Sequence, residues 1–336
     1  MIKRNFIVLL LLFFPYNESY GKDKIIATTS SPPEYLINDL YNFKNNIEEK
    51  FSPKTEVVLL INGESGSEEN SLNGLRRGRS NISFVSVGAL SSIIPELSIL
   101  SLPFLFNSNE EADFVLDNYL LDYFKKEMIS KNLNLLRWVD SGWSIIYLNK
   151  FIKGPSNLRN LRIRTPSSIS SRIYFKEFNA DIVQLPFSEV IPALQTGLID
   201  GGTTSILMFH IAGIYEYAPY LKYTNHALNP GAVVTNYSWF NKISTNNKQI
   251  IDESFPSSHE LRLKHRNFEC ETENKIKKLG ITLEVIDRKL WNQNIKTIHN
   301  KILDEVSGNA GKIYNIILEA KKDFFTKNIK SKDKCN

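Results

Sequence analysis

Three short segments in the second half of the chain constrain its fold more than any other feature. They are LRIRTP at residues 161–166, LPFSEV at 185–190 and ALQTGLIDG at 193–201. The first ends a short strand with an arginine, the second places an aromatic at the start of a helix, and the third is a turn-rich crossover. Successive loops of an α/β sheet meet at the carboxyl ends of the strands, where such folds bind ligands. We therefore expect the three segments to converge on one site.

Strand patterns alternate with amphipathic helix patterns along the 336 residues, and this plan occurs twice. This alternation of strands and helices predicts a parallel sheet with helices on both faces. A chain of this length, with two similar units and chain crossings between them, predicts an α/β protein of two hinged lobes with a ligand cleft between them. We expect strands at 24–29, 55–61, 82–87, 133–139, 145–148, 162–164 and 181–185, and helices at 32–51, 68–77, 167–178, 188–197 and 246–279.

The two expected lobes exchange chain segments. Lobe I comprises residues 22–141 and about 230–269, and lobe II comprises 142–229 and about 270–336. The helical pattern at 246–279 is long enough to lie across both lobes. Ser188 is expected to cap the helix that Gly197 ends, because serine accepts a hydrogen bond from a free backbone N–H and glycine adopts the left-handed conformation readily.

The N-terminus has the pattern of a secretory signal peptide over residues 1–21. Lys3 and Arg4 precede an uninterrupted apolar run at 6–14, and small residues follow Pro15. The run is too short for a permanent bilayer span, although an uncleaved anchor is the alternative. We expect the mature protein to begin near Lys22 and to be soluble outside the cytoplasm.

The net charge of +5 is spread along the chain rather than clustered. A nucleic-acid surface needs a clustered basic face, so no nucleic-acid partner is predicted. The lysines near the C-terminus are expected to form a solvated, fraying tail. They are Lys321, Lys322, Lys327, Lys330, Lys332 and Lys334.

The two cysteines, Cys270 and Cys335, leave their pairing open. A disulfide that tethers the tail is possible in an oxidising compartment, and two free thiols are equally compatible with the sequence. Neither cysteine has partners at zinc-ligand spacing, and neither a metal nor a cofactor is predicted.

Arg164 allows two interpretations from the residues alone. A guanidinium at a strand end, before a helix N-terminus, can bind a carboxylate through two parallel hydrogen bonds. The other interpretation, which the spacing alone favours, is a surface arginine paired with a nearby acid. Phe187 is similarly ambiguous, since an aromatic beside a proline either packs in the core or stacks on a ligand.

The order of motifs resembles the DctP-type solute-binding proteins of tripartite ATP-independent periplasmic (TRAP) transporters. That family carries Lys/Arg-Ile-Arg-Val-Pro, Pro-Phe-Ser-Glu-Val and Ala-Leu-Gln-Thr-Gly-x-x-Asp-Gly segments in the order and spacing seen here. The likeness covers nearly the whole mature chain. Further matching segments lie at 62–66, 86–90, 95–96, 102–106 and 225–226.

The resemblance implies a type II-like periplasmic binding protein fold and a set of ligand-binding residues. Arg164 matches the carboxylate-binding arginine and Phe187 the aromatic that lines the pocket, while Ser167 and Ser168 match helix-start positions near the ligand. Three positions depart from the pattern: Thr204 replaces an asparagine that helps to hold the carboxylate, Ser144 follows Gly142-Trp143 in place of a second arginine, and Ser86 replaces an acid of sugar-acid binders. The candidate ligand-binding residues are Tyr35, Ser86, Trp143, Ser144, Arg164, Ser167, Ser168, Phe187, Thr204 and Gly231.

These departures predict a ligand less polar than a dicarboxylate or a sialic acid, because a buried charge needs partners. An aromatic or branched monocarboxylate fits best, and a ligand without a carboxylate, with a structural Arg164, is the alternative. Apolar or stacking surface is expected from Tyr35, Trp143, Phe187, Phe209 and Tyr215.

The predicted function is binding without reaction: ligand capture closes the lobes, and the closed form docks on the small and large TRAP membrane subunits. A periplasmic sensing or scaffold role is the alternative. A hydrolase is disfavoured, because Gly63-Glu64-Ser65-Gly66 is followed by Ser67 and therefore only approaches a nucleophile elbow. The histidines also lie on unrelated segments without an orienting acid; they are His210, His226, His259, His265 and His299.

Overall fold

The computed structural model describes residues 23–30, 33–61 and 63–327 of the chain. Its strands are β1 (Asp23–Thr28), β2 (Thr55–Leu60), β3 (Ile82–Ser86), β4 (Leu133–Leu148), β5 (Arg162–Thr165), β6 (Asp181–Gln184), β7 (Gly201–Ser205), β8 (Tyr220–Tyr223), β9 (Leu228–Asn236) and β10 (Leu283–Val285). Its helices are α1 (Glu34–Lys50), α2 (Glu68–Arg76), α3 (Val87–Leu90), α4 (Asn109–Val115), α5 (Leu121–Ile129), α6 (Ile169–Lys176), α7 (Val190–Gln195), α8 (Ile206–Ile211), α9 (Tyr237–Lys242), α10 (Thr245–Glu253), α11 (Ser258–Lys278), α12 (Arg288–Trp291), α13 (Ile295–Val306) and α14 (Ala310–Thr326).

The strands form a mixed sheet in two parts, which we call the first and second lobes. The first has the order β2-β1-β3-β9-β4, and the second continues from β4 through β7 and β5 to β6. Strands β1, β2 and β3 run parallel, as do β5, β6 and β7, while β9 and β4 run antiparallel to their neighbours. The predicted α/β alternation is therefore confirmed.

One strand, β4, belongs to both lobes, whereas the sequence predicted two separate strands at 133–139 and 145–148. Its first part pairs with β9, and its last part pairs with β7 and β8. The register shifts between Asp140 and Trp143, where Gly142 has a φ of +84°. This irregularity redirects the strand from one part of the sheet to the other. The gap between the two predicted strands is therefore a bend within one continuous strand.

The helix predicted at 246–279 is also different, because it is two helices, α10 and α11. Pro256 separates them, and Ser257 begins α11 with a capping box: its hydroxyl accepts from Glu260 N at 3.2 Å, and its N–H donates to the Glu260 carboxylate at 2.8 Å. Helix α11 contacts α1, β4 and α8, so the expectation that a long helix touches both lobes is confirmed.

The predicted cap at Ser188 is wrong. Ser188 lies within a single 3-10 turn, Phe187–Glu189, and α7 follows from Val190 without a side-chain cap. Gly197 does have the expected left-handed φ, at +66°.

The cores of the lobes form by ordinary amphipathic packing. Helix α1 places Leu40, Phe43 and Ile47 on one face against the first lobe's sheet, and each is at most 1% exposed. Burying one such side chain contributes about 1.5–3 kcal/mol. In the larger core, α13 packs on α6 and α14 packs on α4, so the C-terminal helices contact elements of both predicted lobes. The predicted lobe boundaries stay a prediction.

Several expectations concern the ends of the chain. The predicted signal peptide lies outside the described residues, and none of the helices in the described part is long and apolar enough to cross a membrane. Cys270 is disulfide-bonded, and Cys335 lies outside the described residues. Lys321 does not belong to a solvated tail, because it lies in α14 with its Nζ 3.5 Å from Glu111.

His226 is buried at the junction between β8 and β9. Its ring stacks on Tyr174 with centroids 5.0 Å apart, and its Nδ1 lies 2.7 Å from the Thr224 hydroxyl. Burial lowers the pKa of His226 to about 3. Above the ordinary histidine pKa of 6.5 the ring is neutral in both folded and unfolded chains, but below it the unfolded chain binds a proton that the folded protein does not bind.

We therefore expect His226 to make folding stability fall as the pH decreases from 6.5 towards 3. The slope from this one group approaches about 1.4 kcal/mol per pH unit. Urea unfolding at several pH values should show a shallower decline for His226→Phe than for the wild type, whatever the variant's stability at pH 7. Identical slopes would contradict a neutral buried ring.

Candidate functional site

A cavity of about 240 Å³ lies between the two lobes. The first lobe contributes the loop after β1, the start of α1, the start of α2 and the end of β3. The second contributes the ends of β5 and β7, the turn at Phe187 and the start of α8, and the irregular part of β4 lies between them. The expected convergence of strand-end loops is therefore present, although the third contribution is 203–205 rather than the 193–201 segment before it.

The cavity includes six of the ten candidate residues. Those lining it are Tyr35, Ser86, Ser144, Arg164, Phe187 and Thr204, and those not lining it are Trp143, Ser167, Ser168 and Gly231.

The four remaining candidates have structural contacts instead. Trp143 is 8% exposed and donates from Nε1 to Asn109 at 2.7 Å. Ser168 caps α6, and Ser167 reaches Glu69 of the first lobe at 3.5 Å. Gly231 lies close to β4, because a Cβ added there would lie 2.8 Å from the side chains of Val139 and Ser141.

Two further aromatics from the predicted apolar surface, Phe209 and Tyr215, pack in the core of the second lobe. Tyr35 and Phe187 alone of the five predicted aromatics line the cavity. Additional apolar surface comes from residues that the sequence did not single out: Pro33, Leu36, Phe84, Val85, Val139, Leu207 and Met208.

Arg164 is 4% exposed and held by backbone carbonyls rather than by an acid. Its Nε and Nη2 donate to Leu185 O at 3.0 and 2.8 Å, and its Nη1 donates to Thr203 O at 3.2 Å. A guanidinium has five N–H donors. One N–H on each Nη therefore makes no hydrogen bond to the described part of the chain, and together these two can receive a carboxylate.

The neighbours of Arg164 shape this position. Arg164 pairs with Gly202 across the parallel ladder, and a side chain at Gly202 would collide with Tyr147 and with Arg164 Cβ, at 3.0 Å. The Phe187 ring lies 5.8 Å from the guanidinium carbon. Burial lowers the pKa of Arg164, while Tyr147, Glu69 and Glu68 act in the opposite direction. The arginine is thus positioned by its fold rather than by a salt bridge.

Glu68 is a cavity-lining acid that the sequence analysis missed. It begins α2 and accepts hydrogen bonds from Ser86 N at 2.8 Å and from the Ser86 hydroxyl at 2.7 Å. Burial raises the pKa of Glu68, and the Ser86 hydrogen bonds counteract this effect only in part. A carboxylate therefore does lie beside Ser86, supplied by a residue eighteen positions earlier in the chain.

A charged network on α11 forms the wall at the β4 bend. Arg266 donates to Asp140 at 3.0 Å and to both oxygens of Asp113 at 2.8 Å. Burial opposes ionisation of Asp140, but His265 and Arg266 outweigh it and lower the pKa of this carboxyl. Asp140 is thus a carboxylate already matched by cations.

His265 corrects the expectation that no acid lies near a histidine. Its Nδ1 lies 2.9 Å from the Tyr35 hydroxyl, and its Nε2 lies 3.7 Å from Glu269. Burial favours the neutral ring, but Glu269 and Asp140 raise the pKa of His265 overall. A signal was present in the sequence, because His265 and Glu269 are four residues apart and share a helix face.

Residues 26–305 match the family model described as "DctP: Bacterial extracellular solute-binding protein, family 7". The chain belongs to this family. The resemblance to TRAP solute-binding proteins is thereby confirmed, and members of this family are periplasmic binding proteins.

The chain is similar to proteins from several bacteria. It is 27% identical over 255 residues to the 2,3-diketo-L-gulonate-binding periplasmic protein YiaO of Escherichia coli, covering 74% of this chain and 77% of that protein. It is 26% identical over 228 residues to the ectoine-binding periplasmic protein TeaA of Halomonas elongata, covering 66% of each. Its match to a Haemophilus influenzae relative, 28% identical, covers 64% of that protein.

Solved structures share the fold. The sugar acid binding protein DctPAm of Advenella mimigardefordensis, in complex with galactonate, has 23% sequence identity and a TM-score of 0.82, covering 90% of this chain and 98% of that one. A TRAP periplasmic solute-binding protein of Chromohalobacter salexigens with bound D-glucuronate has 21% identity and a TM-score of 0.80, covering 89% and 99%. The predicted two-lobed α/β fold is thus confirmed.

The bend of β4 beside the cavity yields a stability prediction. An alanine Cβ at Gly142 would contact Glu269 Oε1 and lie 2.9 Å from Ser205 Cβ, in addition to the strain of a φ of +84°. We expect Gly142→Ala to lower the free energy of unfolding by roughly 2–4 kcal/mol.

Gly197→Ala is the matched control, because Gly197 also has a positive φ, but apart from its chain neighbours no atom of the described residues lies within 4 Å of the added Cβ. Its expected loss is about 1 kcal/mol. Chemical denaturation of both variants checks the difference, and equal losses would show that the contacts at the bend do not constrain the strand.

Proposed function

We propose that this protein is the extracytoplasmic solute-binding component of a TRAP transporter and that it holds a small monocarboxylate with apolar or aromatic character between its lobes. The observation that carries the proposal is Arg164, a buried guanidinium that lines the cavity and has one N–H on each Nη that makes no hydrogen bond to the described residues. A carboxylate oxygen on each of these N–H groups forms a bidentate pair.

The charges around the cavity support one carboxylate rather than two. Apart from His265, whose ring is engaged with Tyr35 and Glu269, Arg164 is the cation among the lining residues. Glu68 lines the same space. A second ligand carboxylate would be desolvated without a counter-charge, which costs several kcal/mol.

The remaining lining supports a ligand with an apolar part. Phe187 lies beside the guanidinium, and Leu207 and Met208 follow on the start of α8. Serine and threonine hydroxyls occupy other parts of the wall, so the ligand can also carry hydrogen-bonding substituents. Thr204 and Ser144, which replace an amide and a guanidinium of the family pattern, both face the cavity and provide hydroxyls there.

We infer that the protein works by closing its two lobes on the ligand. The ligand contacts both lobes, so a closed state buries more of it than an open state and is favoured by binding. The bend of β4 at Gly142 is where the chain passes between the lobes. We infer a periplasmic location after removal of the signal peptide, and delivery of the ligand to the two TRAP membrane subunits.

Calorimetric titration of Arg164→Ala tests the carboxylate site. The ligands are branched and aromatic monocarboxylates, with and without an amino substituent, each compared with its neutral primary amide. The wild type should bind an acid from this panel and reject its amide, and Arg164→Ala should weaken binding by about 2–5 kcal/mol because a buried carboxylate loses its partner.

Arg162→Ala is the control on the same strand. Arg162 is exposed and pairs with Asp200 at 2.9 Å, outside the cavity, so its loss should leave affinity unchanged. Unchanged affinity in Arg164→Ala, or equal binding of acid and amide, would mean that Arg164 has a structural role only.

A further inference from the structure

The cavity presents two opposite charges, and neither has an ion-pair partner within the described part of the chain. Arg164 is bonded to the carbonyls of Leu185 and Thr203, which are neutral. Glu68 is bonded to the N–H and hydroxyl of Ser86, which are neutral as well. Arg164 belongs to the second lobe and Glu68 to the first, so the two charges face the cavity from opposite sides.

The other charged groups of the wall are already matched. Asp140 pairs with Arg266 at 3.0 Å, and His265 is placed between Tyr35 and Glu269. A further acid, Glu69, lies next to Glu68 and accepts from Ser167 at 3.5 Å, but it does not line the cavity. Among the described residues that line the cavity, the unmatched charges are therefore one cation and one anion.

A simple monoanion satisfies only half of this arrangement. Its carboxylate would neutralise Arg164 and would leave Glu68 without a counter-charge, near Glu69 and now near the ligand's own negative charge. Like charges in a low-dielectric cavity repel strongly, and a buried charge is stable only with a partner. Burial is the main cause of the raised pKa of Glu68; Ser86 and Arg164 act in the opposite direction and do not offset it.

Glu68 also has the capacity to bind a donor. Each of its oxygens accepts one hydrogen bond from Ser86, and a carboxylate oxygen has two acceptor sites. A positively charged nitrogen in the cavity can therefore bond to Glu68 without displacing Ser86.

We propose that the ligand is a zwitterion, with its carboxylate on Arg164, its cationic nitrogen on Glu68 and its apolar part beside Phe187. This inference rests on the proposed function for the carboxylate end and adds the recognition of a cation by the first lobe. Because the two charges belong to different lobes, a zwitterion bridges them, and its full set of contacts exists only when the lobes are closed.

The test compares amino acids with carboxylates of the same skeleton that lack the amino group. The probes are phenylalanine against 3-phenylpropionate, leucine against 4-methylpentanoate and proline against cyclopentanecarboxylate, each titrated into wild-type protein by calorimetry. We expect at least one amino acid to bind at least about tenfold more tightly than its partner, because the partner leaves a buried carboxylate unpaired. This comparison requires no variant and is independent of variant folding.

Glu68→Gln then assigns the effect to the residue. The amide oxygen of glutamine still accepts from Ser86, so thermal unfolding should show a folded variant, and its preference for the amino acid should fall about tenfold or more. Glu260→Gln is the matched control: Glu260 also accepts from the N–H and hydroxyl of a serine, Ser257, but it lies outside the cavity.

The possible results distinguish a failure of the zwitterion proposal from a failure of the proposed function on which it rests. Equal or tighter binding of the des-amino acids, binding by none of the amino acids, or an amino-acid preference that survives in Glu68→Gln overturns the zwitterion. If the des-amino acids bind equally well or more tightly, but Arg164→Ala weakens their binding, the protein is still a carboxylate-binding protein and only the zwitterion is overturned. If affinity is the same in Arg164→Ala as in the wild type, and the same for an acid as for its amide, the proposed function itself is overturned.

Discussion

The arrangement of the whole molecule depends on the pairing of β4 with strands of both lobes. A single strand, Leu133–Leu148, provides ladder hydrogen bonds to β9 at one end and to β7 and β8 at the other. The irregularity at Asp140–Trp143 turns the strand between the two, and the cavity lies at this turn. The two lobes thus share a covalent and hydrogen-bonded connection beside the site.

The ion-pair network of α11 maintains the shape of this turn. Arg266 connects Asp140 of β4 with Asp113 of α4, and Arg262 connects α11 with Asp117 at 2.6 and 3.0 Å. Buried ion pairs of this kind add little net stability, because desolvation offsets the attraction. Their effect here is positional: they match Asp140 with a cation, so that Arg164 and Glu68 are the charges without an ion-pair partner among the described residues that line the cavity.

Sequence reasoning succeeded where the relevant physics is local. The β-α-β alternation, the strand-end position of Arg164 and the left-handed Gly197 all depend on neighbours within a few residues, and all are present in the structure. It failed where the position of a residue depends on how distant segments of the chain pack together. Trp143 was a candidate for the pocket and is instead buried on Asn109, while Glu68 was overlooked and lines the cavity beside Ser86. Helix periodicity shows that a residue is on one face but not which partner that face meets.

The sequence by itself determined the family, the α/β plan and the position of the arginine at the end of β5, because motif order and hydrophobic periodicity are properties of the chain read in one dimension. Only the tertiary structure determined which charges come together at the site and which of them have a partner. Glu68 and Arg164 are far apart in the chain and come to one cavity through separate lobes, while Asp140 is neutralised by a helix that arrives more than a hundred residues later. Whether a charge is matched depends on distances in three dimensions, since electrostatic energy falls with separation in space and is independent of separation along the sequence.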